Sequence, residues 1–339
     1  MVLSRARWIG GLAAALLVPV LSSARAQQPA APEVIMAVPA VGFVFAATYI
    51  AEDLELWAKH GVRVKSIPVA GVGSINAVIS GSADFAETSG ASLARAAARG
   101  QRLLAIANLF NHPAAQVVLR KDITQAAGFD RAASLVQRSL ALKDRTIAIG
   151  SINGQIHAYV RLLALRAGFD PESIRVALMA PSTMVAALEA SKVDGFAATP
   201  PWPVISVANG KAVMVASGPD GDPPDMIPYA TTVMVTLPST CETRKSICRG
   251  IGQALAEAAR FLRDHPDKAL ALLQRRFSKL SGDAVAASFA AARKSTPVPP
   301  SVTEQDLSNA ESFDVNAGLL KPEERLKSYN GLFTDEYVR

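Results

Sequence analysis

Residues 46–109 read "AATYIAEDLELWAKHGVRVKSIPVAGVGSINAVISGSADFAETSGASLARAAARGQRLLAIANL", and residues 155–216 read "QIHAYVRLLALRAGFDPESIRVALMAPSTMVAALEASKVDGFAATPPWPVISVANGKAVMVA". The two stretches keep the same order of elements. Each opens on a helical pattern, with Tyr49, Leu54, Leu56 and Trp57 in one and Tyr159, Leu162, Leu163 and Leu165 in the other. Each helix stops at a glycine, Gly61 or Gly168, the residue that most easily takes a left-handed C-terminal cap. Each continues into a strand, "VRVKSIPV" at 62–69 or "IRVALM" at 174–179. A small-residue loop and a short helix follow, then a strand entered through an aspartate, Asp84 or Asp194. Sixteen positions separate Asp84 from Gly100, and Asp194 from Gly210. We read both aspartates as strand and turn supports rather than ligand contacts.

The tetrapeptide GSIN occurs at 73–76 and again at 150–153. The two copies occupy different slots of the repeat, but each joins a strand end to a helix start. Strands alternating with helices predict an α/β fold with mainly parallel sheets and helices on both faces. Ligands of such sheets bind beyond the carboxyl ends of the strands. Two similar lobes would therefore face one cleft, with free N–H groups of helix starts along it. Segments 109–122 and 225–237 each carry a proline before an apolar run and read as crossings between lobes. The helical patterns that follow would pack back on the first lobe.

The chain has 339 residues, half of them apolar, enough for one large domain or two ordinary ones. Arg5 and Arg7, the apolar stretch Ile9 to Leu21 and Ala24-Arg25-Ala26 read as an export signal cleaved after Ala26. That stretch is shorter than the roughly 20 residues of a membrane helix. The signal holds three arginines and no acids, so its removal leaves 32 basic against 29 acidic residues, a balance of +3. Nothing resembles a nucleic-acid-binding stripe. The expected division is signal 1–26, first lobe 27–115, second lobe 116–230, and 231–339 completing the first lobe.

Cys241 and Cys248 are the two cysteines. In an exported protein they suggest a disulfide. On one straight helix they would stand roughly 10 Å apart, too far for a bridge that needs about 7 Å or less. Ser239 with Glu242 could form a capping box that starts such a helix. A turn there, with the helix starting later, would permit the bridge, and the bridge is the reading adopted.

"AVISGSADFAETSGASLARAAARG", "IAIGSINGQIHAYVRLLALRAGFD" and "VAALEASKVDGFAATPPW" together resemble the nitrate/sulfonate/taurine-type solute-binding proteins of ABC importers. Fungal thiamine-pyrimidine synthases share that superfamily. The resemblance spans nearly the whole mature chain. It implies a two-lobed periplasmic binding fold that closes over a small molecule and is read by a permease in the inner membrane. A monomer without cofactor or metal is expected.

Enzyme readings find little support. Asn76 stands where a dinucleotide fingerprint needs its third glycine, and neither GSIN loop is followed by the Lys-Ser/Thr of a P-loop. No G-x-S-x-G elbow or H-E-x-x-H occurs. His60, His112, His157 and His265 are scattered without metal spacing. The cysteine-rich motif of the fungal synthases is absent.

Candidate cleft contacts come from the strand-to-helix loops. Phe43 and Phe45 lie after the first strand, Ser74 and Asn76 in the first GSIN loop, and Glu87, Thr88 and Ser89 at the end of "ADFAETS". Ser151, Asn153, Gly154 and His157 form the second GSIN loop and first helical turn. Ser182 and Thr183 follow Pro181, and Trp202 follows "ATPP". Each has a structural alternative: Phe43, Phe45 and His157 as packing, Ser74, Ser182 and Thr183 as helix caps, Glu87 as a turn acid, Trp202 as an anchor. Helix starts and His157 favour a small organic anion, whereas Glu87 and the aromatics favour a pyrimidine-like heterocycle. No arginine sits in an obvious cleft loop, which counts against the anion.

Overall fold

The computed structural model describes residues 31–339. The export signal and its cleavage point lie outside the described residues. Among the described residues there are ten strands: β1 Glu33–Val38, β2 Arg63–Pro68, β3 Phe85–Thr88, β4 Leu104–Phe110, β5 Gln116–Arg120, β6 Thr146–Ile149, β7 Arg175–Leu178, β8 Gly195–Ala198, β9 Ala212–Ser217 and β10 Thr232–Thr236. They form two five-stranded sheets, ordered β2-β1-β3-β10-β4 and β7-β6-β8-β5-β9.

The orders are the same if β6 to β9 are laid over β1 to β4 and β5 over β10. In each sheet four strands run one way and a single antiparallel strand is inserted between the third and fourth. In the first sheet that strand is β10, paired with β3 and β4. In the second it is β5, paired with β8 and β9. Each inserted strand follows a crossing. The repeat expected from the sequence is therefore a repeat of topology.

The caps fall where the sequence puts them, with Gly61 at φ 76° and Gly168 at φ 78°. Apart from its edge strand β2, the first sheet is largely buried on both faces, and alternate residues serve each face. Met36, Phe85, Ile106 and Met234 pack with the long helix Lys245–Asp264, while Ala37, Ala86, Ala105 and Val235 pack on the other side.

The two crossings lie side by side. Tyr229 N–H donates to Asn111 O at 2.8 Å and Thr231 N–H to Phe110 O at 3.1 Å. Asn108 Nδ2 donates to Tyr229 O at 3.1 Å, and Thr231 Oγ1 to His112 O at 2.6 Å. These bonds satisfy backbone groups that no sheet ladder reaches.

The helical tail departs from expectation. Lys245–Asp264 and Pro266–Arg276 pack on the first-sheet helix Ala46–Asp53. Gly282–Ser295 also meets the second-sheet helix Trp202–Ala208, and Glu304–Asn316 meets both Gly90–Ala98 and Gln155–Arg166. Aromatic packing explains the reach: Phe313 stacks on Tyr159 at 6.2 Å and meets Tyr229 edge-on at 5.5 Å. Arg161 Nε donates to Ala317 O at 2.9 Å.

A helix does form at Pro238–Thr243, but Leu237 precedes it and Ser239 caps nothing. Arg244, at φ −127° and ψ 51°, breaks the path before Lys245–Asp264 begins. That break brings the Cα atoms of Cys241 and Cys248 to 5.5 Å, and their sulfurs are bonded.

Candidate functional site

The carboxyl ends of strands from both sheets open on one cleft with a volume of about 210 Å³. From the first sheet come Pro39, Ala40, Val44 and Phe45 after β1, Gly71 and Val72 after β2, and Thr88 and Ser89 at the end of β3. From the second come Ser151, Gly154 and Gln155 after β6 and Thr199 after β8. Thr231 and Thr232 add the second crossing. The two sides touch where Phe43 N–H donates to Pro200 O at 3.5 Å.

Seven hydroxyl side chains line this cleft: Thr88, Ser89, Ser92, Ser151, Thr199, Thr231 and Thr232. Some are engaged. Ser89 Oγ accepts the Ser92 N–H at 3.1 Å and so caps the helix Gly90–Ala98. Thr231 Oγ1 accepts from Gln155 Nε2 at 3.2 Å. The helix Gln155–Arg166 begins at Gly154 with no side-chain cap, which leaves N–H groups of its first turn toward the cleft. Hydroxyls and uncapped N–H groups suit an oxygen-bearing ligand, and the partial positive charge of the helix start suits an anion.

Arg95 also reaches the cleft wall, from the middle of the helix Gly90–Ala98. Its guanidinium pairs with Asp314 and donates to Ser92 Oγ at 3.2 Å. Burial lowers its pKa from the ordinary arginine value. The cleft loops hold no arginine, as read from the sequence, but this helix brings one to the wall. In sequence Arg95 sits inside "SLARAAARG", in a helix rather than a strand-to-helix loop. Only the return of Glu304–Asn316 reveals its setting. Gln155, Thr199, Thr231 and Thr232 were likewise not singled out, since each lies beside a motif rather than in one.

Of the residues expected in the cleft, the structure brings together Phe45, Thr88, Ser89, Ser151 and Gly154. The others stand away from its wall. Phe43 is buried and stacks on Phe277 at 4.5 Å. Ser74 is inside the helix Gly73–Ile79, buried, and donates to Gly71 O at 3.1 Å and Glu87 O at 2.9 Å, so it is neither cap nor contact. Asn76 is exposed on that helix. Ser182 and Thr183 are exposed at the start of Pro181–Glu189, with Thr183 Oγ1 bonded to Ala180 O at 2.8 Å. Trp202 is half-buried and packs against the apolar cluster that contains Phe196 and Met184.

Asn153 and His157 act on each other. Asn153 is exposed and left-handed, at φ 58°, and its N–H donates to His157 Nδ1 at 3.1 Å. His157 is buried, and its pKa is lowered by that burial and then by Arg161. An accepting Nδ1 closes the loop, and the ring stands off the cleft wall.

Glu87 is fully buried behind the cleft. Thr48 Oγ1 donates to its Oε1 at 2.5 Å, while Oε2 has no partner among the described residues. Burial pushes its pKa up to about 8, against the opposing bond from Thr48. Among the described residues no group of His, Cys, Asp and Glu is placed to hold a metal ion, and no helix is long and apolar enough to cross a membrane.

Two lobes built on one sheet plan, joined by paired crossings and facing each other across a hydroxyl-lined cleft, define a two-lobed periplasmic binding protein fold. The chain belongs to the NMT1/THI5-like family, whose model matches residues 43–269. The alkanesulfonate-binding protein SsuA of Xanthomonas axonopodis pv. citri, solved bound to MOPS, superposes with a TM-score of 0.67 at 17% identity, covering 89% of this chain and 97% of that one. The periplasmic nitrate-binding protein NrtA of Synechocystis superposes at 0.65 with 15% identity, covering 90% and 86%. A Bordetella bronchiseptica protein gives 0.71 at 15% identity, covering 90% and 95%. No curated protein gives a significant sequence match.

Proposed function

We propose that this chain is the periplasmic solute-binding component of an ABC importer and captures a small organic anion, of sulfonate or carboxylate type, by closing its lobes. The observation that carries this reading is the cleft wall. It combines hydroxyls from both lobes, the uncapped start of Gln155–Arg166 and one arginine, without any set of groups poised for bond making. The volume of about 210 Å³ lies below the ~300–1,000 Å³ usual for drug-sized ligands, in keeping with a small molecule. A ligand that touches both lobes gains its contacts only as they approach, and so favours the closed population. The paired crossings near 112–118 and 228–234 would serve as hinge, between a first lobe of 27–115 with 231–339 and a second lobe of 116–230. The chain would act as an exported monomer, cleaved after Ala26, that presents its closed form to a permease and catalyses nothing.

A pyrimidine-like heterocycle is the second reading. Phe45 supplies an aromatic ring on the cleft wall, and the Gln155 amide on the same wall can donate and accept. Native mass spectrometry of protein from its own host would identify what co-purifies. Calorimetry against sulfonates, carboxylates and pyrimidines, with small-angle scattering, would then test closure. A ligand that leaves the radius of gyration unchanged would overturn the closure mechanism.

A further inference from the structure

The cleft wall carries one charged side chain, and that charge already has a partner. Arg95 pairs with Asp314, whose side chain is 2% exposed, and spends a second nitrogen on Ser92 Oγ at 3.2 Å. Asp314 belongs to the helix Glu304–Asn316, which packs behind Gly90–Ala98. The pair also fixes the guanidinium fork, which is otherwise a costly group to immobilise. A ligand charge about 4 Å from the guanidinium and about 7 Å from the carboxylate would have roughly half of its attraction cancelled, because Coulomb energy falls as the inverse of distance. The remaining polar wall is hydroxyl, amide and backbone, which offers hydrogen bonds without net charge.

We infer that Asp314 sets the charge of the ligand: it holds Arg95 in place as a donor while trimming the field, so that the cleft takes monoanionic or zwitterionic head groups and rejects dianions. Arg95 is the specificity residue that meets the ligand, and Asp314 is a positioning residue that acts through it. A single sulfonate or carboxylate would take the free N–H groups of Arg95 and hydroxyls such as Thr88, Ser151 and Thr232. A second negative charge would enter a wall with no second cation. This inference rests on the anion reading of the cleft.

The test is calorimetric titration of the mature chain with methanesulfonate, taurine and methanedisulfonate, a monoanion, a zwitterion and a dianion. The wild type is expected to bind the monoanion or the zwitterion at least about tenfold more tightly than the dianion. Asp314→Asn should improve dianion binding relative to monoanion by about tenfold. Arg95→Gln should weaken all three, and Asp314→Glu should keep the wild-type order. A purely structural strut would lower stability without changing the order of ligands. A folded Asp314→Asn protein with the wild-type order overturns the inference alone. So does a wild type that binds dianion and monoanion equally, whatever the variants do. If none of the three binds the wild type, the anion reading falls and takes the inference with it.

Discussion

Asp84 and Asp194 hold the same post in the two lobes. The Asp84 carboxylate accepts the Ile35 N–H at 2.9 Å, and the Asp194 carboxylate accepts the Thr146 N–H at 2.8 Å. Each aspartate returns its own N–H to the carbonyl of the same partner, at 2.9 Å in both cases. The ring so formed clamps the start of β3 against β1, and of β8 against β6. Asp84 carries an additional ion pair to Arg244 at 2.5 Å.

Replacing Asp194 by Ala should leave the Thr146 N–H without its partner and cost about 1–3 kcal/mol of stability. Ligand affinity should stay within about twofold, since the clamp lies away from the cleft. Urea unfolding and calorimetry on the same variant measure both.

Glu87 should make stability depend on pH in an unusual direction. Its pKa is raised from 4.5 to about 8. Between those values the native carboxyl keeps a proton that the unfolded chain has released, so stability falls as pH rises through the window and is insensitive to this group below it. At roughly 1.4 kcal/mol per unit the loss could reach several kcal/mol. Glu87→Gln should flatten the dependence. Urea midpoints at about pH 4.5, 6 and 8 that rise with pH and are unaltered by the substitution would contradict this.

The bond between Cys241 and Cys248 closes a short loop, so its removal should cost on the order of 2 kcal/mol. Thiol counting under denaturing, non-reducing conditions should find none free. A double Cys→Ser variant should show a lower melting temperature and unchanged ligand binding.

Gly154 borders the cleft, and a Cβ there would lie 2.7 Å from Ser151 Oγ. Gly154→Ala should push Ser151 out of place and weaken ligand binding about tenfold, a loss of roughly 1.4 kcal/mol, with little change in stability. His157→Ala should act less directly, by freeing the Asn153 N–H and loosening the loop. Equal affinities for Gly154→Ala and the wild type would remove the β6 loop from the site.

Much of the fold was legible because its signals are local. Gly61, Gly168 and the two aspartates mark turns and strand starts by spacing alone. The cleft was legible at the level of loops, not side chains. Ser151 and His157 sit six residues apart in one loop and helical turn, yet one lines the cleft and the other turns inward to hold Asn153. Such directions depend on backbone angles that the residue types do not fix. Arg95 was hidden for a different reason, since Asp314 lies 219 positions away. The reach of Glu304–Asn316 into the second lobe likewise turns on Phe313 meeting Tyr159 and Tyr229, a long-range match with no local signature.

The place of β10 has a consequence for the order in which the molecule can be built. Every strand of the second sheet lies between residues 116 and 217, so that sheet can close once this run has been synthesised. The first sheet begins at residue 33 but keeps β3 and β4 apart until residues 232–236 slide between them. The lobe that emerges first from the ribosome is therefore the last to be completed, and it waits with one edge of β3 open and β4 without a ladder partner, the feature most prone to pairing with other chains. A nascent chain with residues through Ser217 released but halted before Thr232 should hold a closed second sheet beside an open first one.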